Sequence, residues 1–400
     1  MIKLHKNLLE AVIKALQNIF EERRYADQVI EQILKSNPKW GARDRAFIAE
    51  TTYEMVRWWR LLWELLELSP SPVHYWKAVG VWLFLKKYEL PEWTEFQDVH
   101  YKRVLYLEKQ FQKIRKIKES IPDWLDELGE KELGEKWTAT IQKLNEPAEL
   151  VIRANRLKTS VKELQKKLES EKVIATPYLE DALIIHKRQN IFKTICFQEG
   201  LFEVQDFSSQ QVAQMLDAQA GMRIVDACAG AGGKTLHIAA LMNNKGKILA
   251  LDTEHWKLEE LKKRAKRAGV SAIIEVKPID NNKTIKRLYD SADRLLLDVP
   301  CSGLGVLRRN PDAKWKLDLD FLHKVRAIQA QILEEYSPIC KIGGKMVYAT
   351  CSILPSENQQ QVEKFLSKHS ESFRLLDEKI ILPQENGFDG FYMACLERVR

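Results

Sequence analysis

The stretch VDACAGAGGKTLHIAALM, residues 225–242, decides the fold of this chain. It places Gly230, Gly232 and Gly233 between a predicted strand and a predicted helix. Glycines at such a junction permit a tight turn and let a ligand approach the backbone, while the helix N-terminus favours a negatively charged group. The stretch therefore predicts a strand, a ligand loop and a helix of an α/β domain.

Three kinds of ligand loop fit parts of this stretch. A phosphate-binding loop of the form G-x-x-x-x-G-K-[ST] needs glycine where this chain has Cys228, and a dinucleotide loop of the form G-x-G-x-x-G needs glycine where it has Thr235. The third candidate is the S-adenosylmethionine site of a doubly wound methyltransferase, whose first strand ends in an acidic residue before a glycine-rich loop.

A carboxylate at the end of the next strand candidate supports an adenosine group. The segment ILALD ends in Asp252, twenty residues after Gly232, where a carboxylate can accept hydrogen bonds from both ribose hydroxyls. Dinucleotide and S-adenosylmethionine sites share this feature, so it does not separate them. Asp280, after IIEVKPI, is either an adenine contact or an ordinary turn residue.

Strand and helix candidates alternate from residue 206 to residue 400. The strand candidates are RIVDAC, KILALD, AIIEVK, DRLLLDV and KMVYAT. Repeated strand–helix units predict a parallel sheet with helices on both faces, so we expect a doubly wound, Rossmann-like α/β domain over 206–400. Ligands bind such sheets at the carboxyl ends of the strands, near the point where the strand order reverses.

The first 205 residues predict two further domains. Residues 1–140 are poor in glycine and proline and repeat apolar residues at helical spacing, which predicts an all-helical domain. Nine of the eleven tryptophans lie there, at a spacing that favours core packing over base stacking. Residues 147–205 contain the strand candidates AELVIRANRLK and ALIIHK on either side of a helix candidate, and they predict a small α+β module.

Composition and charge permit a polyanionic partner and disfavour a membrane protein, a disulfide-rich protein and a zinc protein. The formal net charge of +7 and the pI near 8.9 are compatible with a polyanionic partner. The N-terminus is amphipathic, and the apolar run AVGVWLFL is too short to span a bilayer, so we expect a cytoplasmic protein without membrane contact. Six cysteines without a CxxC pair favour neither a disulfide framework nor a zinc site.

Two cysteines follow strand candidates of the predicted sheet. Asp298 and Cys301 follow DRLLLDV, and Cys351 follows KMVYAT. The carboxyl ends of parallel strands lie at one edge, so both thiols can face one pocket. Three other cysteines fit the ordinary role of a small buried hydrophobe: Cys196, Cys340 and Cys395.

An acid and two thiols beside a methyl donor suit methylation of a pyrimidine at C5. This carbon is a poor nucleophile, but addition of a thiolate at C6 lets it attack a methyl sulfonium. A carboxyl group near N3 and the exocyclic amine would hold the ring and stabilise the developing charge. A base must then remove the C5 proton, and the target base must first leave its stack. Chemistry alone does not decide which thiol attacks.

The motifs together resemble those of the RNA cytosine-C5 methyltransferases, in their RsmB-like branch. Over roughly 200 residues the order and spacing match in five segments: LFEVQDFSSQQVAQML, DACAGAGGKT, LLLDVPCSGLGVLRRNPDAKW, YATCSILPSEN and GFDGFYMACL. LVIRANRLKTS resembles the small ferredoxin-like or RRM-like RNA-facing module of this family, and DRAFIAETTYEMVRW is similar to the helical NusB-like domain of RsmB-like members. The resemblance implies small-subunit (16S) ribosomal RNA as the substrate.

The resemblance also ranks the two thiols. It implies that Cys351 is the nucleophile that forms the covalent adduct, and that Cys301 assists proton removal or enzyme release. Asp298 would contact the target cytosine and the cofactor. The related DNA enzymes use the proline-cysteine thiol as the nucleophile, so the presence of both PC and TC segments selects the RNA branch.

The cofactor that the resemblance implies is S-adenosyl-L-methionine. Asp252 would bind its ribose and Asp280 would lie near its adenine. The loop residues that would line it are Cys228, Ala229, Gly230, Ala231, Gly232, Gly233 and Lys234.

Three positions depart from the family pattern. Gly230 and Ala231 stand where the usual loop has alanine-proline, which loosens the turn without removing a ligand. Lys257 stands where the family usually carries arginine. The positive charge is kept, but a lysine cannot form the paired, bidentate hydrogen bonds that an arginine guanidinium makes. Val299 replaces the usual alanine of the proline-cysteine segment. None of these changes a proposed catalytic side chain.

An enzyme that acts on a large RNA needs cationic groups for phosphates. The segment RRNPDAKWK, which follows the proline-cysteine loop, predicts RNA contacts at Arg308 and Arg309, and the small module adds Arg153 and Lys158. We expect the other basic run, KKRAKR at 262–267, to be an ordinary solvated helix face.

Two alternatives to a ribosomal RNA methyltransferase remain. The same chemistry could act on transfer RNA or on a protein, or the chain could be a non-catalytic ribosome-assembly factor on a methyltransferase scaffold. The retained acid and both thiols favour the enzyme, because a scaffold has no need of them at one pocket. We expect the enzyme to be a monomer.

Overall fold

The structure is a computed structural model that describes residues 4–187 and 189–400. The chain divides into two compact units. The first unit runs to Glu146 and includes Leu307–Leu319, and the second comprises Pro147–Val306 and Asp320–Arg400.

Twenty α-helices and eleven strands are present in these described ranges. The helices are α1 Lys6–Phe20, α2 Ala26–Ser36, α3 Ala42–Arg57, α4 Trp59–Leu66, α5 Tyr75–Leu85, α6 Thr94–Gln97, α7 Tyr101–Phe111, α8 Arg115–Lys118, α9 Asp123–Leu133, α10 Lys136–Leu144, α11 Val161–Ser170, α12 Ile195–Gln198, α13 Phe207–Met215, α14 Gly233–Leu241, α15 His255–Ala268, α16 Asn282–Lys286, α17 Ala313–Lys316, α18 Leu319–Tyr336, α19 Gln359–His369 and α20 Pro383–Asn386. The strands are β1 Leu150–Ala154, β2 Ala175–Pro177, β3 Ala182–Ile185, β4 Phe202–Val204, β5 Arg223–Asp226, β6 Lys247–Asp252, β7 Ile274–Pro278, β8 Ala292–Asp298, β9 Cys340–Thr350, β10 Phe373–Ile381 and β11 Phe391–Arg398.

The first unit is an all-helical domain built on α1–α10. In α1, apolar residues at helical spacing are buried on one face, among them Leu9, Val12 and Leu16. The tryptophans pack within this core: Trp59 stacks on Phe20 with ring centroids 3.7 Å apart. All nine tryptophans before residue 147 are buried or half-buried, as expected for core packing.

Residues 307–319 belong to the helical unit, although the sequence placed them in the catalytic domain. The indole of Trp315 donates to the carbonyl of Val56 at 2.7 Å, and the Lys314 ammonium donates to Asn145 Oδ1 at 3.3 Å. Lys314 is buried, and this burial lowers its pKa well below its usual value. These contacts join residues far apart in sequence, so no local pattern revealed them.

The second unit begins with a small four-stranded sheet in the order β2-β3-β1-β4. β1 pairs antiparallel with both β3 and β4, and helix α11 begins with a capping box between Ser160 and Glu163. The alternating apolar residues of these strands and Leu164 of α11 form one core. The predicted α+β module is therefore present, with an antiparallel sheet.

The rest of the second unit is a seven-stranded sheet in the order β10-β11-β9-β8-β5-β6-β7. Strands β5 to β9 are parallel, as the doubly wound prediction required, and β10 and β11 extend the sheet in antiparallel pairing. Apolar clusters on its two faces bury both sides of the parallel strands. The doubly wound α/β fold is confirmed.

The strand order reverses between β5 and β8. From β5 the chain adds β6 and β7 on one side, then returns to place β8 and β9 on the other. Because ligands of such sheets bind where the order reverses, the carboxyl ends of β5 and β8, at Asp226 and Asp298, mark the expected site.

Candidate active site

The glycine loop connects the end of β5 to the start of α14. Gly232 adopts a left-handed backbone with φ of 86°, and a Cβ built there would lie 2.5 Å from Leu261 Cγ. Any other residue would therefore meet both backbone strain and a clash with α15. Gly230 also has positive φ, but no atom lies within 4 Å of its Cβ position. The loop is thus packed against the protein at Gly232 and open at Gly230.

Asp252, at the end of β6, is fixed beside this loop. Its Oδ2 accepts a hydrogen bond from the Gly230 amide at 2.8 Å, and its Oδ1 accepts one from the Glu254 amide at 2.8 Å. Each carboxylate oxygen can accept a further hydrogen bond. The structure therefore brings Asp252 and the glycine loop together in a form that can bind hydroxyl groups.

Asp280 lies near the same edge, two residues after β7. Strands β6 and β7 pair so that Asp252 stands opposite Pro278. The Asp280 side chain is largely exposed, with Oδ1 3.5 Å from His255 Nε2. Its carboxylate is therefore accessible from solvent.

Asp226 is almost fully buried at the end of β5. Burial raises its pKa to about 7, although a hydrogen bond from Thr235 Oγ1 at 2.7 Å acts in the opposite direction. Burial also raises the pKa of the neighbouring Cys228 thiol well above its usual value. The base of the loop is thus a site of low polarity that disfavours negative charge.

Lys234 and Asp298 form an ion pair across the point where the strand order reverses. Lys234 Nζ lies 2.6 Å from Asp298 Oδ2 and 5.2 Å from the centroid of the Phe391 ring. Burial acts to lower the pKa of Lys234, but the charge and hydrogen bond of Asp298 outweigh it, and the pKa is raised. Lys234 is therefore positively charged beside the carboxylate of Asp298.

The two thiols meet at the ends of β8 and β9. Asp298 pairs with Ala349 in the register of these strands, and the Sγ atoms of Cys301 and Cys351 lie 3.3 Å apart. Their hydrogen bond and the burial of Cys301 raise the pKa of Cys301 well above its usual value. Ionisation of the Cys301 thiol is therefore disfavoured, and either sulfur can be the donor of the hydrogen bond between them.

Comparisons with known proteins agree with this geometry. The family described as "16S rRNA methyltransferase RsmB/F" matches residues 213–397, and its ferredoxin-like domain family matches residues 121–192. A "probable ribosomal RNA small subunit methyltransferase B" of Synechocystis is 32% identical over 96% of this chain and 97% of its own length. The chain belongs to the RsmB/F methyltransferase family.

Two further relatives agree with this assignment. The ribosomal RNA small subunit methyltransferase B of Serratia proteamaculans is 35% identical over 69% of this chain and 66% of its own length. The crystal structure of PH0851 superposes with a TM-score of 0.82 at 26% identity, covering 99% of this chain and all of that one. The predicted family and its methyltransferase fold are confirmed.

The four basic residues predicted to contact RNA have other partners in this RsmB/F protein. Arg153 is buried, and its guanidinium donates to Gln205 and to the carbonyl of Gly233. Lys158 is exposed but donates to two backbone carbonyls, each at 2.7 Å. Arg308 is buried in the helical unit and Arg309 is half-buried. The arrangement does not favour RNA contacts for Arg153 and Arg308, and RNA contact for Lys158 and Arg309 stays a prediction.

Two positions in this site were not singled out from the sequence. Arg264 of α15 donates to the carbonyl of Ala231 at 2.8 Å and is held by Glu203 of the small module at 2.9 Å. Glu357 accepts hydrogen bonds from Ser302 and Ser352, in the loop after β8 that contains Cys301 and the loop after β9 that contains Cys351, here called the two thiol loops. The segment PSEN after TCS was a visible signal for Glu357, but a buried carboxylate cannot be told from an exposed one in a single sequence.

Neither a membrane helix nor a metal cluster is found in the described part of the chain. No helix there is long and apolar enough to cross a bilayer. Across residues 4–187 and 189–400, no group of three or more His, Cys, Asp and Glu side chains is placed to hold a metal ion.

Proposed function

We propose that this protein transfers a methyl group from S-adenosyl-L-methionine to C5 of a cytosine in small-subunit ribosomal RNA. The observation that carries the proposal is the pair of Cys301 and Cys351 sulfurs, 3.3 Å apart, at the sheet edge that holds the Lys234–Asp298 ion pair. Two adjacent thiols, an acid and an ammonium are the groups that addition, methylation and release at a pyrimidine require.

The residues around the glycine loop fit the cofactor. Asp252 has acceptor capacity for the ribose hydroxyls and is held by the Gly230 amide. The space beside Gly230 is open to a ligand, and the exposed carboxylate of Asp280 is available for the adenine. When bound, S-adenosyl-L-methionine supplies an electrophilic methyl group. Asp252, Asp280 and the loop from Cys228 to Lys234 would hold it.

The first step uses Cys351 as the nucleophile. Its thiolate adds to C6 of a cytosine that has left its stack, and negative charge develops on the ring. Asp298 accepts a hydrogen bond from the exocyclic amine and so orients the ring. The ammonium of Lys234, 2.6 Å from Asp298, lies close enough to this carboxylate to stabilise the developing charge.

The last step uses Cys301 as the base that removes the C5 proton. The largest cause of the raised pKa of Cys301 is its hydrogen bond to Cys351. Formation of the C6 adduct converts Cys351 into a thioether and removes this cause, so the Cys301 thiol becomes easier to deprotonate. The Cys301 thiol first gives its proton to solvent, and the resulting thiolate accepts the C5 proton. The electron pair of that C–H bond re-forms the C5–C6 double bond as the C6–sulfur bond breaks, which frees the Cys351 thiolate and the methylated base.

Ribosomal RNA is proposed as the substrate because of the relatives. The proteins of Synechocystis and Serratia proteamaculans are named ribosomal RNA small subunit methyltransferase B. The net charge of +7 is compatible with an RNA partner. A cytoplasmic monomer is part of the same proposal.

Bisulfite sequencing of cellular RNA, with and without the gene, tests this function. Bisulfite deaminates cytosine but not 5-methylcytosine, so loss of the gene should make one cytosine of the small-subunit RNA newly convertible. A change in transfer RNA instead would reassign the substrate. Identical maps from the two strains would contradict the enzyme.

A further inference from the structure

Glu357 is a fully buried carboxylate that lies between the two thiol loops. It ends a short 3-10 turn, Pro355–Glu357, six residues after Cys351. A carboxylate without solvent is costly unless hydrogen bonds satisfy it. The donors that surround Glu357 therefore show what it stabilises.

The donors come from both loops. Oε1 of Glu357 accepts hydrogen bonds from the hydroxyls of Ser302 and Ser352, each at 2.5 Å. Oε2 accepts one from the Ser302 amide at 2.8 Å and one from Gln329 Nε2 at 3.0 Å. Ser302 follows Cys301 and Ser352 follows Cys351 in the chain. One carboxylate thus binds the residue next to each thiol.

The surrounding contacts make both loops rigid. Gln329 Nε2 also donates to the carbonyl of Pro300 at 2.9 Å, on the other side of Cys301. The Gly305 amide donates to the carbonyl of Cys351 at 2.9 Å, and a Cβ on Gly305 would lie only 2.7 Å from that oxygen. The two loops are therefore packed backbone to backbone. The Glu357 carboxylate bridges them through its hydrogen bonds to both serines, and the Ser302 and Ser352 hydroxyls also contact each other at 3.2 Å.

We propose that Glu357 is a positioning residue for both thiols. Its four hydrogen bonds hold the loops of Cys301 and Cys351 so that the two sulfurs face each other at 3.3 Å. The consequence for catalysis rests on the proposed function, because attack and release would use these same thiols. The consequence for the thiol geometry holds whatever RNA the protein modifies.

The variants Glu357→Ala and Glu357→Gln separate positioning from general stability. Alanine removes all four hydrogen bonds. Glutamine keeps an acceptor oxygen for the Ser302 amide, and its NH2 group can donate to the two hydroxyls, which can rotate to accept. Glutamine should therefore rescue much of what alanine loses. Tyr392→Phe is a matched control, because it removes a part-buried hydrogen bond to Glu378 in the same sheet, and neither the lost hydroxyl nor its partner belongs to a thiol loop.

The first measurement is independent of methylation. Diamide oxidises two neighbouring thiols to a disulfide and is itself reduced to a hydrazine, and peptide mass spectrometry follows the Cys301–Cys351 crosslink. We expect Glu357→Ala to slow crosslinking in the folded full-length protein by about a hundredfold, since a shift of about 1 Å can cost that factor in a proximity-controlled reaction. Glu357→Gln and Tyr392→Phe should stay close to wild type. Unchanged crosslinking in Glu357→Ala would overturn the inference.

The second measurement is single-turnover methylation of small ribosomal subunits from cells that lack the gene. Glu357→Ala should lower the methylation rate in parallel with the crosslinking rate, and its affinity for S-adenosyl-L-methionine should not change. Slow crosslinking in Glu357→Ala together with no methylation by wild type would refute the proposed function but uphold the positioning role.

If Glu357→Ala does not fold, two serine variants test the same inference. Ser302→Ala and Ser352→Ala each remove one hydroxyl from Oε1 of Glu357. Each should slow crosslinking by a smaller factor, of about tenfold for one lost charge-assisted hydrogen bond. If neither serine variant altered the crosslinking rate, the proposed bridge would be wrong.

Discussion

The sulfurs of Cys301 and Cys351 lie 3.3 Å apart at the ends of two adjacent parallel strands. The hydrogen bond between them and the burial of Cys301 raise the pKa of the Cys301 thiol, and either sulfur can be the donor. By the chemistry of the sequence alone, either thiol could be the nucleophile. Only the resemblance to the family assigned that role to Cys351. The geometry places both thiols at one point of the sheet edge, and their ranking stays a prediction.

Replacement of Cys351 by alanine should abolish methyl transfer while cofactor binding survives. The side chain is the proposed nucleophile, whereas the cofactor loop is anchored elsewhere, on Asp252. Transfer of a radioactive methyl group to RNA and calorimetric titration with S-adenosyl-L-methionine measure the two properties. Cys196→Ala is the control, because Cys196 is buried in the core of the small module. Full activity in Cys351→Ala would remove the nucleophile assignment.

Replacement of Cys301 by alanine should trap the enzyme on its RNA. Attack by Cys351 does not need the second thiol, but removal of the C5 proton does, so the covalent adduct should accumulate. Denaturing gel electrophoresis would show it as an RNA–protein band that survives detergent. The double variant Cys301→Ala with Cys351→Ala should give no such band. Normal turnover without any trapped species would refute the role of Cys301.

The common edge of the thiols was predictable because it follows from local patterns. Each apolar strand candidate ended at a polar or thiol residue, and parallel strands place such ends together, as they do for Asp298 and Cys351. The burial of Arg153 and the bridge through Glu357 were not predictable. Both depend on which loops meet in three dimensions, and a single sequence does not contain that information. The antiparallel strand β11 also went unassigned, although its sequence was recognised as a family motif.

The buried carboxylate of Asp226 should make the protein less stable as pH rises from 5 to 8. Its folded pKa of about 7 lies above the unfolded value of 3.8, so the folded state binds more protons between these values. Stability is therefore lost as the pH rises through this window. Asp226→Asn removes the titration and can still accept the hydrogen bond from Thr235.

Urea unfolding of both proteins at the two pH values measures this effect. Relative to Asp226→Asn, the free energy of unfolding of the wild-type protein should fall by about 3 kcal/mol between pH 5 and pH 8. Each pH unit from pH 5 up to the folded pKa of about 7 contributes about 1.4 kcal/mol to this loss. Other titrating groups are common to both proteins and cancel in the comparison. A difference between the two proteins that is the same at pH 5 and pH 8 would show that Asp226 does not titrate in this range.

Arg264→Met should weaken binding of S-adenosyl-L-methionine, while Arg267→Met should not. Both arginines form ion pairs with Glu203 of the small module, but only Arg264 also donates to the carbonyl of Ala231 in the cofactor loop. The variant at 264 loses the hydrogen bond that holds the loop, so the dissociation constant should rise about tenfold, which corresponds to about 1.4 kcal/mol. Arg267→Met disturbs the same carboxylate without touching the loop and is the matched control. Titration calorimetry with the cofactor measures both constants. Equal weakening by the two variants would mean that the ion-pair network, and not the contact with Ala231, supports the cofactor loop.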